Sequence, residues 1–142
     1  MKVIVSACLL GTNCKYNGGN NRDEKVIAFL EGKDVMPVCP EFVLGVPRTP
    51  MEIVNGKLIN KDGEVVDAII RNSVADILNQ INPETIEMAI LKSRSPTCGV
   101  KQIYDGSFSG TLIDGSGVLA QALSEAGIPV IDAEDIMNEC NG

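Results

Sequence analysis

Lys2-Val3-Ile4-Val5-Ser6-Ala7-Cys8 is the stretch on which the reading of this 142-residue chain turns. Three consecutive β-branched residues with no polar alternation describe a strand buried on both faces, of the kind found in parallel sheets. The run ends in Gly11-Thr12-Asn13, which cannot continue it. It has the outward look of a signal peptide, but its apolar part is too short for one, and no apolar run in the chain is long enough to span a bilayer. A cytoplasmic location without a membrane partner is therefore expected.

A doubly buried strand needs helices on both sides, and the sequence supplies them outward from this point. Asp23 is placed to cap a helix over residues 24–30, stopped by Gly32. Val35-Met36-Pro37-Val38 reads as a second strand ending at Cys39. Residues 40–50 hold three prolines and a glycine, which makes them a loop. Asn55-Gly56 lies between apolar residues and predicts a type I′ hairpin over 52–59. Val65, Ile69, Val74, Ile77, Leu78 and Ile81 recur at helical spacing, so a helix is expected over 65–81. Residues 86–91 form a third buried strand, entered through Asn82-Pro83. A loop over 93–99 follows, then a second small hairpin within 103–113. A helix over 117–126 is closed by Gly127, and a strand at Val130-Ile131 leads to a terminal helix over 133–139. Gly115-x-Gly117 is a turn and helix start, since it lacks the rest of any phosphate-binding pattern. Strands alternating with helices place the chain in the α/β class. The expected architecture is a single three-layer Rossmann-like domain over 1–142, with a mostly parallel sheet and small β-hairpin insertions.

Composition limits the chemistry. Hydrophobic residues make up 44% and charged residues 22%, values typical of a globular chain. A net charge of −7 opposes binding of polymeric nucleic acid, which needs surplus Lys and Arg. The chain has no histidine, which removes Ser-His and Cys-His nucleophile pairs and His-liganded zinc. Five cysteines, an odd number, do not describe a disulfide framework.

Three of those cysteines fall in equivalent places. Cys8 follows the first strand, Cys39 closes the second and Cys98 lies in the loop after the third. In an open parallel sheet all three positions share the carboxyl edge, where ligands bind at the point of strand-order reversal. Each could separately fill core, as lone cysteines often do, but three at strand ends in Gly- and Pro-rich loops point to a site. Thiolates without imidazole suit soft metals, above all iron–sulfur clusters. Three protein ligands on a four-iron cluster would leave one iron for substrate. Glu41 lies two residues from Cys39, while Ser95 and Thr97 stand beside Cys98. Lys15 and Arg48 are candidates to hold an anionic part of a substrate. Cys14 reads as a free surface thiol, and Cys140 has no assigned role. The segment from Cys8 to Lys15 is similar to the C-x5-R loop of low-molecular-weight phosphatases, but Cys14 and Lys15 stand where that loop needs its arginine and hydroxyl. A cluster- or metal-carrying protein without turnover, and a thiol redox enzyme using Cys8 with a second resolving cysteine, remain as alternatives.

Three motifs in order also carry a family likeness. They are Val5-Ser6-Ala7-Cys8-Leu9-Leu10-Gly11 with Lys15-Tyr16-Asn17-Gly18, then Pro37-Val38-Cys39-Pro40-Glu41 with Pro47-Arg48, then Leu91-Lys92-Ser93-Arg94-Ser95-Pro96-Thr97-Cys98-Gly99 with Tyr104-Asp105-Gly106. Nearly end to end, the chain resembles the domain-of-unknown-function 523 (DUF523) family, which includes the thiouracil desulfidases. The resemblance implies a Rossmann-like domain with a 4Fe-4S cluster on Cys8, Cys39 and Cys98. It also implies removal of sulfur from a thiolated pyrimidine, 4-thiouracil or its nucleotide, with catalytic roles on Glu41 and Ser95. Ser93, across Arg94 from Ser95, is the rival for the serine role and a candidate substrate contact. The family often has Arg and Asp around the tyrosine and Ser before the last cysteine, where this chain has Lys15, Asn17 and Thr97.

Overall fold

The structure, a computed structural model, describes residues 1–136. Along the chain, strand β1 (Lys2–Ser6) is followed by helix α1 (Glu24–Phe29) and β2 (Asp34–Val38). A hairpin of β3 (Met51–Val54) and β4 (Lys57–Asn60) precedes helix α2 (Asp67–Asn79) and β5 (Ile86–Leu91). A second hairpin of β6 (Gln102–Tyr104) and β7 (Leu112–Asp114), helix α3 (Val118–Glu125) and β8 (Val130–Asp132) complete the order. The main sheet has four parallel strands in the order β2-β1-β5-β8, and each hairpin is a separate antiparallel pair. This is the α/β layered architecture with hairpin insertions expected from the sequence.

The apolar run of β1 is buried on both faces because successive side chains alternate across a strand. Ile4 points into a core shared with Leu58, Ile70, Val74, Leu119 and Leu123, which places α2 and α3 on one face of the sheet. Val3 and Val5 point the other way, into a core with Val26, Leu30, Ile90 and Ile136 that covers the second face with α1. Helix α1 begins where Asp23 accepts hydrogen bonds from the backbone N–H groups of Lys25 and Val26. The β3–β4 turn has positive φ at both Asn55 (51°) and Gly56 (81°), as a type I′ turn requires.

One expectation needs correction, and another falls partly outside the described residues. The helix predicted over 65–81 spans Asp67–Asn79, and its buried side is set by Ile70 and Val74, while Val65 and Ile69 are exposed. Its start is delayed because Val65 is still bridged to Ile59 and because Asp67 accepts from the Leu58 N–H, tying the first turn to β4. The expected terminal helix over 133–139 begins as a 3-10 turn at Ala133–Asp135 that leads into helical backbone at Ile136, and residues 137–139, with Cys140, lie outside the described residues. Among the described residues no helix is long and apolar enough to cross a membrane.

Candidate active site

Strand order reverses at β1, with β2 on one side and β5 and β8 on the other. The loops leaving the carboxyl ends of β1 and β5 therefore diverge and leave a crevice between them, the usual ligand position in open α/β sheets. After β1 the chain makes a 3-10 turn over Ala7–Leu10, closed by Gly11 at φ +98°, and this turn carries Cys8. After β2, Cys39 caps a 3-10 turn over Pro40–Leu44 that carries Glu41. Ser6 ties the two central strands at the crevice floor, its hydroxyl accepting from the Lys92 N–H at 2.9 Å.

The loop after β5 is fixed from behind by helix α3. The first N–H groups of a helix have no partner within it. Here those of Gly117, Val118 and Leu119 donate to the carbonyls of Gly99, Pro96 and Thr97 at 2.8, 3.1 and 2.8 Å. The fit demands glycine, since a Cβ at Gly117 would lie 2.4 Å from the Thr97 carbonyl carbon, and one at Gly99 would lie 2.7 Å from the Ser95 carbonyl oxygen. Gly115-x-Gly117 thus serves as a turn and helix start, as read from the sequence, and its N–H groups grip protein rather than phosphate.

These loops enclose a cavity of about 440 Å³, lined by Cys8, Cys14, Cys39, Cys98, Glu41 and Ser95 among others. The volume is that of a small-molecule site. Burial pushes the Cys98 thiol up to about 12, opposed by a hydrogen bond from Ser6 and reinforced by the nearby Glu41 charge. The Cys14 thiol is also pushed up to about 12, first by burial and then by the adjacent Cys39. Burial raises Cys39 as well. Free thiols held neutral in this way are poor nucleophiles.

Glu41 is tied into a polar set on one wall. Its Oε2 accepts from Thr97 Oγ1 at 2.7 Å and from Ser95 Oγ at 3.4 Å, and its Oε1 faces Arg48 Nη2 at 3.4 Å. Arg48 also donates to the carbonyls of Cys14 and Gly45 at 2.8 and 3.1 Å, and its side chain is 7% exposed. It brackets two loops, with three of its five N–H groups directed at protein, and it also lines the cavity. Only its buried Nε has no partner among the described residues. Lys15 lines the cavity together with Lys92 and Arg94. Ser93 does not line it. The Ser93 hydroxyl donates to buried Asp132, and Arg94 between the two serines takes a left-handed backbone (φ +62°). Ser95, by contrast, lines the cavity.

Cys14 is the main departure from expectation. It is 2% exposed and faces Cys39 across the cavity wall instead of lying free on the surface. Its polar loop is folded inward, with Arg48 and Cys39 both directed at the Cys14 carbonyl. Thr97, Lys92 and Ser6 also join the site without having been singled out as site residues. Ser6 and Lys92 stand inside the motifs quoted above, and Thr97 carries a hydroxyl next to a cysteine.

A model of the 2-thiouracil desulfurase family matches residues 3–135. The uncharacterized protein YbbK of Bacillus subtilis (strain 168) is 36% identical over 146 residues, covering 94% of this chain and 97% of that protein. A solved structure described as the 4Fe-4S-dependent thiouracil desulfidase TudS superposes with a TM-score of 0.87 at 30% identity, covering 96% of this chain and 93% of that one.

Proposed function

The chain belongs to the 2-thiouracil desulfurase family and is an enzyme of that type, and we propose that it hydrolyses the carbon–sulfur bond of 4-thiouracil or its nucleotide on a 4Fe-4S cluster held by Cys8, Cys39 and Cys98. The observation that carries this reading is the meeting of three cysteines from three separate strand ends around one cavity that also holds Glu41.

The donor set fits such a cluster. It is all thiol, in a chain without histidine, and thiolates select iron–sulfur clusters and other soft centres. Among the described residues no three His, Cys, Asp or Glu side chains converge on a point that one ion would occupy. A cluster makes no such demand, because each thiolate binds a different iron. When bound, it would supply a soft Lewis acid for the sulfur of the substrate.

The protein groups supply the rest. Glu41 accepts a proton from the attacking water, held in place by Arg48 on one oxygen and hydroxyls on the other. Ser95 hydrogen-bonds the pyrimidine ring and returns a proton to the departing side of the substrate. The bonds balance as a hydrolysis: the carbonyl oxygen comes from water, sulfur leaves as hydrogen sulfide, and no electrons are transferred. Lys15 at the rim is suited to an anionic portion of the substrate, such as a nucleotide phosphate. Free thiols and a cluster together suit the reducing cytoplasm.

The test uses protein purified without oxygen, supplied with 4-thiouracil or 4-thiouridine monophosphate, with sulfide release measured. Equal amounts of sulfide and desulfurised pyrimidine are expected. Glu41→Gln should keep the cluster absorbance and lose about 10²- to 10⁴-fold in kcat. Cluster-loaded protein that consumes neither compound would overturn the assignment.

A further inference from the structure

The sheet edge supplies the cysteines and Glu41, while the two hairpin insertions line the same cavity with residues that the proposed chemistry leaves unused. These are Met51 and Glu52 from β3, Tyr104 from β6, and Phe108 and Gly110 from the turn between β6 and β7. The chain has five aromatic residues, two Tyr and three Phe, and Tyr16, Tyr104 and Phe108 all line this one cavity. Phe108 differs from the other two in its backbone. Its φ is +57°, a left-handed conformation that a bulky residue adopts at a cost and that recurs at functional sites. The turn is braced to hold it there. Glu52 Oε1 accepts from the backbone N–H groups of both Gly106 and Phe108, at 3.0 and 3.2 Å. Gly106, at φ +92°, lies so tight against β3 that a Cβ would fall 2.5 Å from the Ile53 carbonyl oxygen. Asp105 accepts from the Ser107 N–H at 2.9 Å, and its own N–H donates to the Thr111 carbonyl at 2.9 Å. In this turn Asp105, Ser107, Ser109 and Gly110 are exposed, and Phe108 is half-buried. Among the described residues, neither of the two cores includes Phe108, so core packing does not account for its inward place.

We propose that Phe108 is the face on which the pyrimidine ring of the substrate stacks, and that Glu52 is the positioning residue that holds Phe108 in the cavity wall. This rests on the thiopyrimidine substrate of the proposed function. A pyrimidine is planar and offers a π face whatever its edge carries. An aromatic wall therefore binds the ring while leaving its sulfur, N–H and carbonyl free for groups from the sheet edge. Phenylalanine suits that task, since stacking asks for no hydrogen bond. A ring fixed in place before the substrate arrives also avoids the entropy cost of ordering it on binding, which is what the braced turn supplies. Glu52 touches the turn rather than the substrate in this arrangement, and so acts through Phe108.

Phe108→Leu keeps an apolar side chain without a flat ring, and Phe108→Tyr restores the ring. In the cluster-loaded enzyme with 4-thiouridine monophosphate, Phe108→Leu should raise KM by about 10-fold or more and leave kcat within about threefold. Phe108→Tyr should return KM to within about threefold of the parent. Calorimetric binding of uridine monophosphate, the sulfur-free product, should weaken by about the same factor in Phe108→Leu, a readout that needs no turnover. Glu52→Ala should also raise KM with kcat held, and adding Phe108→Leu to it should raise KM little further, because both changes remove the same stack. The parent has no tryptophan, so the emission of Phe108→Trp reports on this position alone and should be quenched saturably by uridine monophosphate. A KM and a product affinity within about twofold of the parent in Phe108→Leu overturn the stacking face. Emission of Phe108→Trp that ignores the nucleotide overturns it even where Phe108→Leu does not fold. Fully additive effects of the Glu52 and Phe108 substitutions overturn the positioning role of Glu52. A cluster-loaded parent that neither turns over the thionucleotide nor binds its product shows instead that the substrate reading beneath has failed.

Discussion

At Arg48 the guanidinium is nearly out of solvent, and it serves the Cys14 carbonyl, the Gly45 carbonyl and the Glu41 carboxylate together. Removing a donor from buried acceptors costs about 1–3 kcal/mol, because they keep their desolvation without the bond that offset it. Arg48→Ala should therefore lower the denaturation midpoint of the protein and lower kcat through a misplaced Glu41, with KM little changed. A variant of full stability whose only defect is a raised KM would return Arg48 to the substrate. Cys98 invites a different test. Its thiol is pushed up to about 12 by burial, so the metal-free protein holds it neutral near pH 8. Alkylation of Cys98 by iodoacetamide, followed by mass spectrometry, should be slow at pH 8 and quicken about tenfold per pH unit up to pH 11. Fast labelling at pH 8 that does not change with pH would contradict the buried, protonated thiol.

Among the elements, α3 connects packing to the site, because its first turn holds the carbonyls of the loop that carries Ser95, Thr97 and Cys98. A methyl added at Gly117 would meet backbone rather than a movable side chain. Gly117→Ala should cost about 1–3 kcal/mol, read from the denaturant midpoint, and should reduce cluster retention by displacing Cys98. Unchanged stability and iron content would show that the loop is not clamped there. Much of the frame was legible in the sequence at this scale. The β-branched run of β1, the Asp23 cap, Asn55-Gly56 and the three cysteines at strand ends each have a local physical signature. What was not legible depended on tertiary partners. Ile69 and Ile70 are equally apolar, and only the docking of Asp67 onto β4 decides which of them faces inward. Cys14 sits in a polar loop whose composition reads as surface, and the inward fold comes from Arg48, which is distant in sequence. Ser93 and Ser95 cannot be ranked from their neighbours, because the left-handed turn at Arg94 and the partner Asp132 separate them.

Over the whole molecule, the order β2-β1-β5-β8 does what no local motif could do, which is to bring residues 8, 39 and 98 to one edge. The chain carries a net charge of −7, yet Lys15, Arg48, Lys92 and Arg94 all line this one cavity. Such a fold needs no cluster to form its two cores, so cluster loss and unfolding should be separable. The central claim is that the edge cysteines hold a four-iron cluster, and it is tested most directly by iron and acid-labile sulfide analysis of protein purified without oxygen. The account predicts about four irons and four sulfides per chain, lost in Cys8→Ser, Cys39→Ser and Cys98→Ser and kept in Cys14→Ser. Iron-free protein that cannot be reconstituted, or full iron content in all three single variants, would contradict it.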